Sequence, residues 1–384
     1  MATYHQMGHD SWNLVTEKAL QNFKGIILSP VNDAPADVIR RLQQLGKRRD
    51  EVEVILDPQF YEPSGTRGEL PHWPYFSNDV DTVNLGDSRW WKARGEELVS
   101  VAAKIGANTI CSPAILPRVY SDEYYGWVVK CADTLSKDAG KKGLNVLLTA
   151  IVRLSELAAK NRPEEIASIL TSTDISRIYL VFSDDLPPRA QRTDIYGLAG
   201  AMSLIRLLEA AGSTVLVAFS GLDVLLWKAA GTTDVATGKF FNLRRFAPGR
   251  FGEDGPEGGR IVPYWTDNRL ITWLREDDVR LLDRNRLIDR ELAAENPYSV
   301  EILKIIDAGK GEAWVKYGWR QYLHWFQDIE SKISSTNGMA RSLLKEADSI
   351  WGVIGESDIY LYDRTNSGEW IRPWLNALKE AAIS

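Results

Sequence analysis

Eight short runs of aliphatic and β-branched residues recur along the first two-thirds of the chain, separated by helix patterns, and this alternation restricts the fold more than any other feature. In order they are TYHQMGH, GIILSPVN, VEVILDPQFY, NTICSPAI, NVLLTAIV, RIYLVFSDD, TVLVAFSG and TDVATGKFF. Between them lie ADVIRRLQQLG, EELVSVAAKIG, YYGWVVKCADTLSKDAG, PEEIASILTS, LAGAMSLIRLLEAAG and LDVLLWKAAG, several closed by a glycine that can take the left-handed cap conformation. The strand runs are nearly continuous in apolar residues, as in a parallel sheet covered on both faces. Eight strand–helix units in about 245 residues predict a closed (β/α)8 barrel, whose usual length is roughly 250 residues. An open doubly wound sheet is the competing arrangement of the same units.

The pattern changes after the eighth run. The expected organisation is an α/β, TIM-like barrel over 1–247, a Gly/Pro-rich linker or loop over 248–260, and a mainly helical C-terminal extension over 261–384 packed on the barrel. The stretch RRFAPGRFGEDGPEGGR reads as a mobile excursion. In EAWVKYGWRQYLHWFQDIESKI, residues Val315, Trp319, Tyr322, Phe326 and Ile329 fall on one helical face, a packing stripe in preference to a ligand cage. The segment over 61–91, rich in aromatics, is too long for an ordinary connection and is expected to be a lid or site wall.

With 384 residues, 44% hydrophobic and 26% charged, the chain can bury a large core. A net charge of -6 disfavours a broad electropositive surface, so nucleic-acid contact would require a local basic patch. Two cysteines, Cys111 and Cys131, form no disulfide framework, and the first residues show no secretory signal pattern. A cytoplasmic protein without a membrane span is expected. Four histidines are too few for a multi-histidine metal centre, and no P-loop, G-x-S-x-G or G-x-G-x-x-G stands in its proper context. No metal and no cofactor are predicted.

Ligand-handling side chains of parallel barrels stand at the carboxyl ends of the strands. LSP, LDP and CSP each place a small polar residue before a proline, which ends strand pairing and projects that residue from the tip. For the serines a terminator suffices. Asp57 is followed on the alternating face by Gln59 and Tyr61 and is expected to be a base or nucleophile. Asp184, after the sixth strand, is the expected partner acid, although a loop or helix-start role fits it as well. Gln6, His9, Asn32, Gln59, Tyr61 and Arg189 are the expected substrate-binding residues.

TVLVAFSGLDVLLWKAAGTTDVATGKFF carries the most specific local signal. Ser220 and Gly221 open a helix after strand seven, and Lys239 and Arg244 follow strand eight. This resembles the phosphate-binding half of many TIM barrels, which implies an anion site formed by Ser220, Gly221, Lys239 and Arg244. It departs from them in having one glycine where those families have two, and a helix cap by Ser220 is the plainer alternative. The same stretch through NLRRF resembles the end of the tRNA-guanine transglycosylase barrel, which implies a nucleoside or nucleic-acid substrate. That family's nucleophilic aspartate lies near Ala236 here, with Asp234 two positions away, and its zinc cysteines have no counterpart. The order QMGH, ILSPVN, DPQFYEP is similar to a group of uncharacterised bacterial proteins and implies no activity.

The expected function is an enzyme, transferase or hydrolase, acting on a phosphate-bearing nucleoside or nucleic-acid component at the barrel mouth. The alternatives are a glycoside hydrolase using Asp57 and an acid after strand six, and a non-catalytic barrel serving as a binding or assembly module. The expected partners are a small-molecule or nucleotide ligand and, through the C-terminal helices, another protein. A mouth lined by Gln6, His9, Asp57, Gln59 and Asp184 favours an enzyme; one plugged by apolar side chains favours the module.

Overall fold

The computed structural model describes residues 2–62, 67–77, 87–252 and 261–383. Its strands are β1 (Ala2–Gln6), β2 (Phe23–Leu28), β3 (Glu53–Leu56), β4 (Thr109–Cys111), β5 (Asn145–Arg153), β6 (Arg177–Ser183), β7 (Thr214–Val217) and β8 (Asp234–Thr237), and they close into a parallel barrel in chain order. Closure is explicit: β1 pairs with β2 on one side and with β8 on the other, Ala2 facing Asp234 and His5 facing Thr237. The open-sheet alternative is therefore excluded. All eight strand runs form, and β2, β3 and β4 stop at Leu28, Leu56 and Cys111, just before the Ser-Pro and Asp-Pro pairs. Proline offers no amide to the next rung of the ladder.

The connecting helices are α1 (Trp12–Val15), α2 (Pro35–Gln44), α3 (Arg48–Glu51), α4 (Ser88–Ile105), α5 (Asp122–Gly140), α6 (Arg162–Leu170), α7 (Ile195–Ala210) and α8 (Val224–Ala229). Their starts are set locally. Asp87, Ser121 and Asp194 accept hydrogen bonds from the amides of Arg89, Tyr124 and Gly197, satisfying donors that an uncapped first turn leaves free. At the far end of α4, Gly106 takes a left-handed conformation with φ 78°.

Beyond the barrel come a two-stranded antiparallel hairpin, β9 (Trp265–Asp267) and β10 (Thr272–Leu274), and the helices α9 (Glu276–Arg284), α10 (Arg290–Ala293), α11 (Pro297–Ala308), α12 (Val315–Ser335), α13 (Met339–Glu356) and α14 (Ile371–Glu380). Three-residue strands are too short to show a period, so the hairpin had no sequence signal. Helix α12 packs on α8 and the barrel end. Tyr322, Phe326 and Ile329 of its expected stripe are buried, while Val315 and Trp319 are half-buried at its edge. Gln327 donates to the Leu20 carbonyl at 3.1 Å, and Glu330 pairs with Lys228 at 2.9 Å, both largely out of water.

Two loop expectations change. Residues 244–252 are not a mobile excursion: Arg244, Arg245, Phe246, Arg250 and Phe251 are buried against the barrel mouth. The rest of the expected linker, 253–260, lies outside the described residues. Within 61–91, Leu70, Trp73 and Tyr75 are buried, and Trp73 and Tyr75 donate to the carbonyls of Asp33 and Pro58 at 3.1 and 3.0 Å. That part is a wall over the ends of β2 and β3. Residues 63–66 and 78–86 are outside the described set, and Ser88–Trp91 already belong to α4. Among the described residues no helix is long and apolar enough to cross a membrane.

Candidate active site

The barrel interior carries two tiers of polar groups. At the amino end of the strands, Glu53 accepts from Tyr4 at 2.7 Å and from Arg177 at 2.6 and 3.1 Å. This is an ion pair at the face where barrels keep their stability contacts. The second tier lies at the carboxyl end and centres on Asp57. Its Oδ1 accepts from the Gln59 amide at 2.9 Å, and its Oδ2 accepts from the Tyr61 and Tyr179 hydroxyls at 2.9 and 3.3 Å. Gln6, at the end of β1, donates to the Tyr179 hydroxyl at 3.1 Å. Three strands thus converge on one carboxyl group.

Asp57 is only 1% exposed and has no cation hydrogen-bonded to it among the described residues. Burial pushes its pKa up to about 6, against the lowering effect of the Gln59 amide, the two tyrosines and the more distant charge of Arg250. Arg250 itself is held by Ser29 Oγ at 3.1 Å and Asn32 Oδ1 at 3.5 Å, and burial lowers its pKa to about 10. Gln59 braces the same corner: its Oε1 accepts from the Val31 amide at 2.9 Å.

Above the carboxyl group the mouth is filled by rings. Tyr61 meets Phe246 and Phe251 edge-on at centroid distances of 5.1 and 4.8 Å, and Phe246 also meets Phe219 at 5.3 Å. All four are essentially buried. Gln59 and Phe219, in the segments that follow β3 and β7, have φ of 51° and 53°. A left-handed backbone costs a non-glycine residue about 1 kcal/mol or more, so the surrounding contacts impose it.

Of the expected residues, Asp57, Gln6, Gln59, Tyr61 and Asn32 come together here. His9 lies exposed beyond β1. Asp184 is placed differently from its expected role: it accepts from Arg192 at 2.6 Å and Arg245 at 2.8 Å. Although burial works to raise its pKa, the two guanidinium groups hold it below the usual carboxylate range. A carboxylate kept ionised by two arginines is a counter-ion and a poor proton donor. The neighbouring Asp185 is paired with Arg153. Asp234, the acid nearest the transglycosylase position, begins β8 at the opposite end of the barrel from Asp57.

The expected anion wall is also rearranged. The Gly221 amide donates to Asp223 at 2.8 Å, the Ser220 amide to the Ala236 carbonyl at 2.8 Å and the Ser220 hydroxyl to the Val217 carbonyl at 3.1 Å. Tyr322 of α12 hydrogen-bonds Thr237 at 2.6 Å and donates to the Ser220 carbonyl at 3.3 Å, covering this turn. Ser220 and Gly221 therefore present no free donors to a phosphate. Lys239, Arg244 and Arg189 face a separate cleft against the C-terminal region.

Sequence reasoning missed Tyr179, Arg250 and the aromatic cap. Tyr179 was visible as a tyrosine alternating with Arg177 within an apolar strand. Arg250 reaches Ser29 across 221 residues of sequence, for which no local signal exists. Among the described residues no group of three or more His, Cys, Asp or Glu is placed to hold a metal ion.

No family model and no curated protein sequence matches the chain. Solved structures similar to it include a xylose isomerase domain protein from Planctomyces limnophilus (10% identity, 62% of this chain and 90% of that one, TM-score 0.38). Also similar are a D-psicose 3-epimerase from Clostridium cellulolyticum H10 (9%, 62% and 84%, TM-score 0.36) and a type I 3-dehydroquinate dehydratase from Clostridium difficile (10%, 64% and 87%, TM-score 0.36). Likeness at this level says nothing of the reaction.

Proposed function

We propose that the protein is an enzyme that transfers a proton on a small, uncharged, oxygen-rich organic molecule at the carboxyl-end mouth of the barrel, with Asp57 as the acid–base group. One observation carries this reading: a buried carboxyl group, displaced to a pKa of about 6, stands at the end of β3 among convergent hydroxyl and amide groups. A group with a pKa near the working pH is populated in both protonation states, which suits it to taking and returning a proton. Tyr61, Tyr179 and Gln6 offer donors and acceptors to hydroxyl or carbonyl oxygens, and Arg250 supplies a positive charge where negative charge would develop on a substrate oxygen. The ring cap excludes water, and substrate entry requires Phe246 and Phe251 to lift.

The occupied amides of Ser220 and Gly221 give no support to a phosphate-bearing substrate at this mouth. The arginine-paired acids after β6 likewise favour no second catalytic carboxyl group. A non-catalytic binding module is the second reading, favoured by the aromatic cap itself.

The test is deuterium incorporation. Small hydroxy-ketones and hydroxy-aldehydes are incubated with the protein in D2O, and loss of a C–H signal is followed by proton NMR. At least one compound should exchange with the native protein and none at a comparable rate with Asp57→Asn. Exchange by neither, or equal exchange by both, sinks the enzymatic reading in favour of the module.

A further inference from the structure

A cleft of about 280 Å3 opens between the loop after β8 and the C-terminal region, lined by Arg189, Lys239, Arg244, Phe240, Tyr264 and Trp319 among others. Three cations, Lys239 and Arg244 from the loop after β8 and Arg189 from the loop after β6, meet aromatic walls there, and their charge is incompletely compensated. Lys239 donates to the Asp10 carbonyl at 2.8 Å and lies 4.4 Å from the centre of the Trp319 ring, and among the described residues no carboxylate is ion-paired with it. An ammonium group has three donors, so two remain for a ligand. Burial lowers its pKa to about 8, with Arg320 and Lys316 adding to that effect and the charge of Asp10 opposing it.

Arg244 forms the floor. Its guanidinium lies 3.4 Å from the centre of the Tyr322 ring and donates to the carbonyls of Gly238 and Lys239 at 3.2 and 2.8 Å, again with no carboxylate paired to it among the described residues. Arg189 binds the Tyr264 hydroxyl and stands 3.6 Å from Asp363, and its Nε is buried with no partner among the described residues. Beside these charges the wall turns apolar: Ile261 and Val262 are 51% and 41% exposed at the rim.

We infer that this cleft is a binding site for a small aryl anion, a phosphate or carboxylate group carried on a single aromatic ring. The anion would sit between Lys239 and Arg189 over the field of Arg244, with the ring against Trp319, Tyr264 and the exposed Val262 rim. Cations and rings on facing walls select a ligand that is charged at one end and flat and apolar at the other. The volume is ample for one ring and its head group. The site is separate from the Asp57 mouth, and neither reading depends on the other.

Calorimetric titration of the full chain with phenyl phosphate and benzoate tests this, with inorganic phosphate and phenol as controls. At least one of the aryl anions should bind saturably and more tightly than either control. Lys239→Gln should weaken it about tenfold or more, the effect of losing one charge-assisted hydrogen bond, while Lys239→Arg restores most of the affinity. An unchanged thermal midpoint in Lys239→Gln confirms that the fold is intact; if that variant unfolds, Trp319→Leu reports on the ring half of the site. No saturable binding of either aryl anion overturns the inference. So does inorganic phosphate binding as tightly as phenyl phosphate, or affinity unchanged in the folded variants.

Discussion

Asp57 carries its charge where water does not reach it, and that has a measurable cost. Its folded pKa of about 6 lies above the ordinary aspartate value near 3.9 that it regains on unfolding. The folded state therefore holds this proton more tightly than the unfolded state. The resulting stability is fully present below about pH 4 and is lost as pH rises through about 6. A displacement of roughly two pH units corresponds to about 3 kcal/mol. Asp234, also raised to about 6 by burial, adds to the same window, so the native protein alone does not isolate Asp57. Asp57→Asn does. Urea unfolding at pH 4.5 and 7.5 should show the variant losing about 2 kcal/mol less than the native protein between those values; equal losses would contradict the buried-charge account. Tyr61→Phe deletes a 2.9 Å donor to the carboxylate and should move the Asp57 titration to higher pH, seen in its carboxyl carbon NMR shift. An unmoved or lowered titration refutes that hydrogen bond.

Residues 244–252 belong to a stretch with the composition of a linker, yet Arg244, Arg245, Phe246, Arg250 and Phe251 are buried. Phe246 and Phe251 cap the mouth, Arg250 crosses to Ser29, and Arg245 joins Arg192 on Asp184. Phe251→Ala should cost about 3–5 kcal/mol of stability. By admitting water it should also lower the Asp57 titration from about 6 toward the ordinary range. If the titration stays put while the protein is destabilised, the cap is not what keeps Asp57 dry. Arg192 is the other organising contact here: it pairs with Asp184 at 2.6 Å and with Asp223, all three largely buried. Arg192→Met leaves buried Asp223 without its cation and Asp184 with Arg245 alone, and should cost about 3–5 kcal/mol in urea unfolding. A loss below about 1 kcal/mol would mean that the cluster is solvated in solution.

At the scale of the whole molecule, the C-terminal region completes the barrel domain. Tyr322 closes the β7 turn, Glu330 neutralises Lys228, and Trp374 donates to the Arg192 carbonyl at 2.8 Å. A chain ending at residue 252 should accordingly fail to unfold cooperatively and should bind a hydrophobic dye, because Trp227 and the α8 face lose their cover. A sharp denaturant transition in that fragment would instead make the barrel an independent unit. The barrel was legible in the sequence because apolar runs, helix caps and prolines act within a few residues of where they stand, and the position of Asp57 at the end of β3 follows from that local grammar. The company Asp57 keeps does not. Tyr179 and Gln6 reach it from other strands, Arg250 and the phenylalanine cap from a stretch that resembles a linker, and Tyr322 occupies the turn that the β7–β8 motif offers to a phosphate. The sequence by itself determined the barrel and the strand ends, since those depend on periodicity and backbone restriction. Only the tertiary structure decided which charges are paired, which are dry and which face a cleft, because burial and ion pairing are properties of segments brought together across hundreds of residues.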